Sequence, residues 1–82
     1  STMQLFVRFE TNGYEGWKAD FDAHGEDRDQ SGLMLLQLWR DVDDTTLAYG
    51  LFEVHDRKAA QGWIDRQAAL KGGVSAQFMR TA

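Results

Sequence analysis

The sequence predicts one α+β domain, a four-stranded antiparallel sheet with two helices on one face. Three observations predict it. Short stretches at both ends of the chain alternate apolar with polar residues, the period of a strand. Two internal stretches place apolar residues three and four apart, the period of a helix. The elements follow in the order strand, helix, strand, strand, helix, strand, a split βαβ arrangement.

Each element has its own warrant. In Met3 to Thr11, Met3, Leu5, Val7 and Phe9 point one way and Gln4, Arg8 and Glu10 the other, with Phe6 the exception on the polar side. Asn12-Gly13 signals a turn, and Asn12 with Glu15 three residues on fits a capping pattern. Tyr14, Trp17, Phe21 and His24 then share one helix face. Gly25 reads as the terminator of this helix, Glu26 to Gln30 as too polar for the core, and Ser31-Gly32 as the entry to the next strand.

Leu33 to Arg40 is apolar on both faces, with Leu33, Leu35 and Trp39 on one and Met34, Leu36 and Leu38 on the other, so cover is expected on both sides. Asp41 to Thr46 is a loop, and Leu47 to Val54 the returning arm of a hairpin. Gly50 in that arm suggests a bulge or a close backbone approach. Asp56 is an N-cap candidate for the second helix, whose apolar face is Ala59, Ala60, Trp63, Ile64 and Ala68 and whose end is Gly72-Gly73. Gly62 in its interior suggests tight contact with the sheet. Val74 to Arg80 alternates again as the last strand. The domain is expected to span residues 3–82, with Ser1 and Thr2 read as a tag remnant.

Composition narrows the function classes. The 82 residues are 43% hydrophobic and 27% charged and contain no cysteine, which excludes disulfides, thiolate metal sites and a cysteine nucleophile. No run approaches a membrane span and no secretory leader is seen, so a bacterial-type cytoplasmic protein is expected. The net charge is −4, with −9 over residues 10–56 and +4 over residues 57–82. An acidic chain repels phosphate backbones, so nucleic acid is not an expected partner. The asymmetry leaves open an assembly role in which acidic and basic regions of two copies meet.

In the expected topology the first and second strands run parallel with the third between them, which puts the doubly apolar second strand at an edge. Helices on one side leave the other sheet face bare. A homodimer covers both. The element order, the Leu33-to-Trp39 strand and the aromatic first helix, Tyr14-Glu15-Gly16-Trp17 through Phe21, resemble the dimeric α+β barrel superfamily, whose protomers are ferredoxin-like. The resemblance runs from Met3 to Arg80 and points in particular to small uncharacterised bacterial members. It implies two sheets joined face to face. The superfamily includes cofactor-independent monooxygenases and haem-degrading enzymes. The latter combine an asparagine, a tryptophan and a histidine ligand; Asn12 and Trp63 are present, but no histidine follows Trp63, so neither haem nor another cofactor is expected.

The aromatic residues allow two readings. They can fill the layer between helices and sheet outright. Alternatively, Trp17, Phe21 and Trp63, with Tyr49 as the sheet aromatic, line an apolar ligand cleft gated by His24. An imidazole there is a candidate general base; its position before Gly25 equally suits a cation at a helix C-terminus. His55 is expected in the strand-to-helix turn. Neither His24, Glu26, Asp27 and Asp29 nor Asp41, Asp43 and Asp44 matches a metal-ligand spacing, so solvated acidic loops and no metal are expected. The expected function is a homodimer binding an apolar small molecule or a protein partner, the alternative a cofactor-independent monooxygenase or isomerase working in the cleft.

Overall fold

The computed structural model describes residues 2–82; Ser1, half of the suggested tag remnant, lies outside them. β1 (Met3–Glu10) turns Leu5, Val7 and Phe9 inward, as its alternation requires. β3 (Leu47–Val54) does the same with Ala48, Phe52 and Val54. These strands pair antiparallel at the sheet centre, flanked by β2 (Leu33–Arg40) beside β3 and β4 (Val74–Arg80) beside β1. The order β2-β3-β1-β4 makes β2 an edge strand parallel to β1, as the sequence predicts.

α1 (Tyr14–Ala23), α2 (Gly25–Gln30) and α3 (Arg57–Leu70) form the second layer. Phe21, Ala60 and Trp63 pack there against Leu5, Val7, Phe9, Leu33, Ala48, Phe52 and Val54. Fully burying a large apolar side chain is worth about 1.5–3 kcal/mol, so Trp63 and Phe52 are leading contributors. Gly50 faces this core opposite Val7, where an added Cβ would come within 3.0 Å of the Phe52 ring and 3.4 Å of Phe9. It is the close approach that the sequence suggests. Asp56 caps α3 by accepting the Ala59 N–H at 3.0 Å, and Gly72 and Gly73, at φ +66° and +61°, follow its end. No helix among the described residues is long and apolar enough to cross a membrane.

The structure corrects several local expectations. Asn12 does not cap α1: the N-cap is Gly13, and no side chain bonds the first-turn amides. Thr11 continues the sheet pairing past Glu10, its N–H donating to the Thr46 carbonyl at 2.6 Å, so the turn comes too late for a capping asparagine. Nor does Gly25 end the helical region. His24 breaks α1, and the chain resumes as α2, which has no apolar residue for a periodicity to detect. Its one buried residue is Arg28, whose Nη1 donates to the Phe21 carbonyl at 2.7 Å. The left-handed glycine that ends this region is Gly32, at φ +70°.

β2 contains a bulge. Leu35 pairs with Phe52 but Gln37 with Leu51, leaving Leu36 without a place in the register. An extra residue moves every later side chain to the other face. Leu38 therefore joins Leu33 on the helix side and packs on the core, while Trp39 joins Met34 on the open side. The two residues exchange the faces read from simple alternation. The chain also leaves β2 uncovered, with Met34, Leu35, Leu36 and Trp39 each 40–46% exposed.

α3 differs from expectation in its second half. A Cβ on Gly62 would meet only the Arg66 guanidinium, at 3.5 Å, so no tight contact demands glycine there. Ala68 is exposed, and the helix buries no residue beyond Trp63. Arg66, Gln67, Leu70 and Lys71 instead border a cleft.

Candidate functional site

The cleft lies between the C-terminal half of α3 on one side and α1 and α2 on the other, with Phe9 of β1 at its base. Its volume is about 190 Å³. Helical spacing puts Trp17 and Phe21 one turn apart, and their rings stack with centroids 5.0 Å apart. Phe9 meets Trp17 at 4.9 Å and Phe21 at 5.9 Å, and Trp63 stands edge-on to Phe9 at 6.4 Å. The aromatic residues divide between core and cleft wall. Phe9, Phe21 and Trp63 are buried and fill core, while the half-buried Trp17 and the faces beside it line an open space.

The rim is charged. Lys71, at the end of α3, donates to the Asp20 carboxylate of α1. This bond holds the Asp20 carboxyl below the usual carboxylate range. Arg66 reaches from α3 to Asp27 at 3.4 Å and to the Ser31 hydroxyl at 3.1 Å. The acidic and basic regions of the sequence therefore meet within one chain, which uses two of the cations that a charge-driven assembly would need.

His24 is at this rim, exposed, with Nδ1 2.8 Å from the Asp20 carbonyl. A carbonyl only accepts, so this contact places the proton on Nδ1. In the neutral ring Nε2 then keeps its lone pair, and it has no hydrogen-bond partner among the described residues. The bond ties the ring to the last turn of α1. His55 lies in the turn before α3, its N–H donating to the Gly32 carbonyl at 2.8 Å.

Tyr49 is not in the cleft. The pleat of β3 turns Ala48 toward the helices and Tyr49 away from them. Tyr49 stacks on Phe6 at 6.0 Å, and Trp39 stands 6.4 Å from the same ring, forming an aromatic dish on the open face. The Tyr49 hydroxyl donates to Asp41 Oδ2 at 2.5 Å, while Oδ1 accepts the Asp43 and Asp44 N–H groups at 2.9 and 2.8 Å. These bonds hold the Asp41 carboxyl below its ordinary range, the Tyr49 bond first, and push the Tyr49 phenol up. Asp41 organises the β2–β3 loop. The sheet aromatic of the cleft is Phe9, which the alternation of β1 had already turned inward.

No family model matches the chain, and no curated protein matches it. Among solved structures, PA3566 from Pseudomonas aeruginosa is similar with a TM-score of 0.65 at 14% identity, over 100% of this chain and 95% of that one. A dimeric ferredoxin-like protein from an uncultured marine organism is similar with a TM-score of 0.47 at 12% identity, over 98% and 92% of the two chains.

The order of elements and the sheet order β2-β3-β1-β4 make this a ferredoxin-like α+β fold.

At 14% identity the likeness to PA3566 concerns the fold alone. A ferredoxin-like protomer has its helices on one sheet face, which explains why cleft and dish lie on opposite sides of the same strands. Among the cleft residues that the sequence reading missed, with Arg66, Gln67, Leu70 and Lys71, is Arg28. Arg28 sits seven positions after Phe21, two helical turns on, and its guanidinium carbon lies 3.6 Å from the centre of the Phe21 ring. Its only signal is to be the one cation in Glu26 to Gln30.

Proposed function

We propose that this chain acts as a homodimeric binding protein in which two open sheet faces pack together and each protomer's cleft takes one small apolar molecule. The observation that carries the binding reading is the cleft of about 190 Å³ floored by Phe9, Trp17, Phe21 and Trp63. A dry cavity of roughly 150 Å³ is enough to hold benzene. The homodimer reading rests on the open face, where Phe6, Tyr49 and Leu51 are half-buried and Met34, Trp39 and Met79 exposed. A second copy presents the same apolar surface, and a chain of this length buries only about 60–65% of its unfolded surface alone.

Native mass spectrometry of the purified protein tests both parts. The expected spectrum is a dimer that gains one mass per protomer on addition of a small aromatic compound. A monomer at tens of micromolar overturns the dimer, and failure of any aromatic compound to bind overturns the cleft. A second reading, a cofactor-independent monooxygenase or isomerase, is favoured by one observation, the unpartnered Nε2 of His24 at the rim. It predicts that His24→Ala keeps binding and loses turnover.

A further inference from the structure

The three cations that border the cleft are not equivalent. Arg66 and Lys71 are surface side chains with carboxylate partners, Asp27 and Asp20. Arg28 is only 8% exposed and has no ion-pair partner among the described residues. A guanidinium carries five N–H donors and stays charged in proteins. One donor is used on the Phe21 carbonyl, and one face of the group is covered by the Phe21 ring. No buried side-chain nitrogen or oxygen among the described residues lacks a hydrogen-bond partner, so the remaining Arg28 donor atoms keep some exposure, and Arg28 is one of the residues that line the cleft. Burial pulls the Arg28 pKa below its ordinary value, while Asp22, Asp29 and Asp27 oppose that from beyond ion-pair range. A part-buried cation with no ion-pair partner is stabilised by an anion that accepts its free donors.

We propose that the ligand of the cleft is a small aromatic monocarboxylate whose carboxylate is held by Arg28 while its ring lies against Trp17, Phe21 and Phe9. The inference rests on the cleft-binding reading above and changes its ligand from a wholly apolar molecule to an aromatic one with a single carboxylate. A carboxylate accepts the paired donors of a guanidinium in one plane. The flat ring suits aromatic walls, which favour stacked and edge-on partners. Asp20 and Asp27 stand at the rim beside Lys71 and Arg66, and their charges disfavour a dianion such as a phosphate monoester.

Phenylacetate and phenylacetamide share shape and differ in charge, so titrating each into the intact protein isolates the role of the anion. Tryptophan fluorescence reports occupancy beside Trp17. Phenylacetate is expected to bind roughly ten- to hundredfold more tightly than the amide, the range for a hydrogen bond to a charged group. Arg28→Gln should remove that preference and Arg28→Lys should keep part of it. A structural role at the end of α1 does not predict a change in the ratio. Should either variant fail to fold by circular dichroism, the two ligands on the parent protein decide alone. Equal affinity for both overturns the carboxylate inference and leaves the cleft reading standing; binding of neither overturns both.

Discussion

The two faces of the sheet are built from alternate residues of the same strands, yet they meet opposite fates. Toward the helices, Leu5, Val7, Ala48 and Phe52 are fully buried, and Trp63 descends from α3 to complete the layer at 2% exposure. Away from them, Phe6, Tyr49 and Leu51 shield one another only in part, and Trp39 remains 42% exposed. Apolar content alone does not decide burial; a covering layer does. The chain supplies that layer on one side, and the other carries apolar surface of the kind that marks an interface.

The two tryptophans give the sharpest test of this contrast. Trp63→Ala should cost about 3–5 kcal/mol of unfolding free energy, read from urea denaturation, because it empties the core against Phe9 and Phe52. Trp39→Ala should change protomer stability by less than about 1 kcal/mol. It should weaken self-association at least about tenfold, read by sedimentation at serial dilution. Equal stability losses for the two variants would erase the distinction between the faces.

Smaller effects probe what frames each face. Asp56→Ala removes the N-cap of α3 and should lower stability by about 1 kcal/mol in thermal unfolding, with no change in dimer dissociation.

On the open side, the Tyr49 hydroxyl and two loop amides hold the Asp41 carboxyl low in the folded state. A folded pKa below the unfolded value of about 3.9 contributes stability that is complete above that value and lost as pH falls through the folded one. Asp41→Asn should therefore be less stable than the parent at neutral pH, and the gap should close on acidification. A gap that is constant with pH would deny the carboxylate this role.

Deleting Leu36 should have the least effect. Leu35 would then be followed directly by Gln37, which already pairs with Leu51, so Leu38 stays inward and Trp39 outward. A stability loss below about 1 kcal/mol is expected. A loss as large as that of Trp63→Ala would show that the bulge shapes the core.

Much of the fold was legible because burial follows period. The alternation of Leu5, Val7 and Phe9 against Gln4, Arg8 and Glu10 needs only one covered face to become a strand of known orientation. Phe6, the one breach in that pattern, lies on the open face at the centre of the aromatic dish. Three of the four aromatic residues expected in the cleft border it, with His24 at its rim. Tyr49 was misplaced because an apolar strand reads the same from either side, and pairing with β1 decided which parity faces the helices.

Local sequence was sufficient wherever a residue's role depends on neighbours within a turn or a strand: the order of the four strands and two longer helices, the Asp56 cap, the Gly50 approach and the inward set of β1. It was insufficient wherever the deciding contact came from far along the chain. The Thr11–Thr46 bond displaced Asn12 as a cap, and a one-residue bulge against β3 exchanged Leu38 and Trp39. In each case the free energy of a long-range contact outweighed a local preference worth about 1 kcal/mol or less.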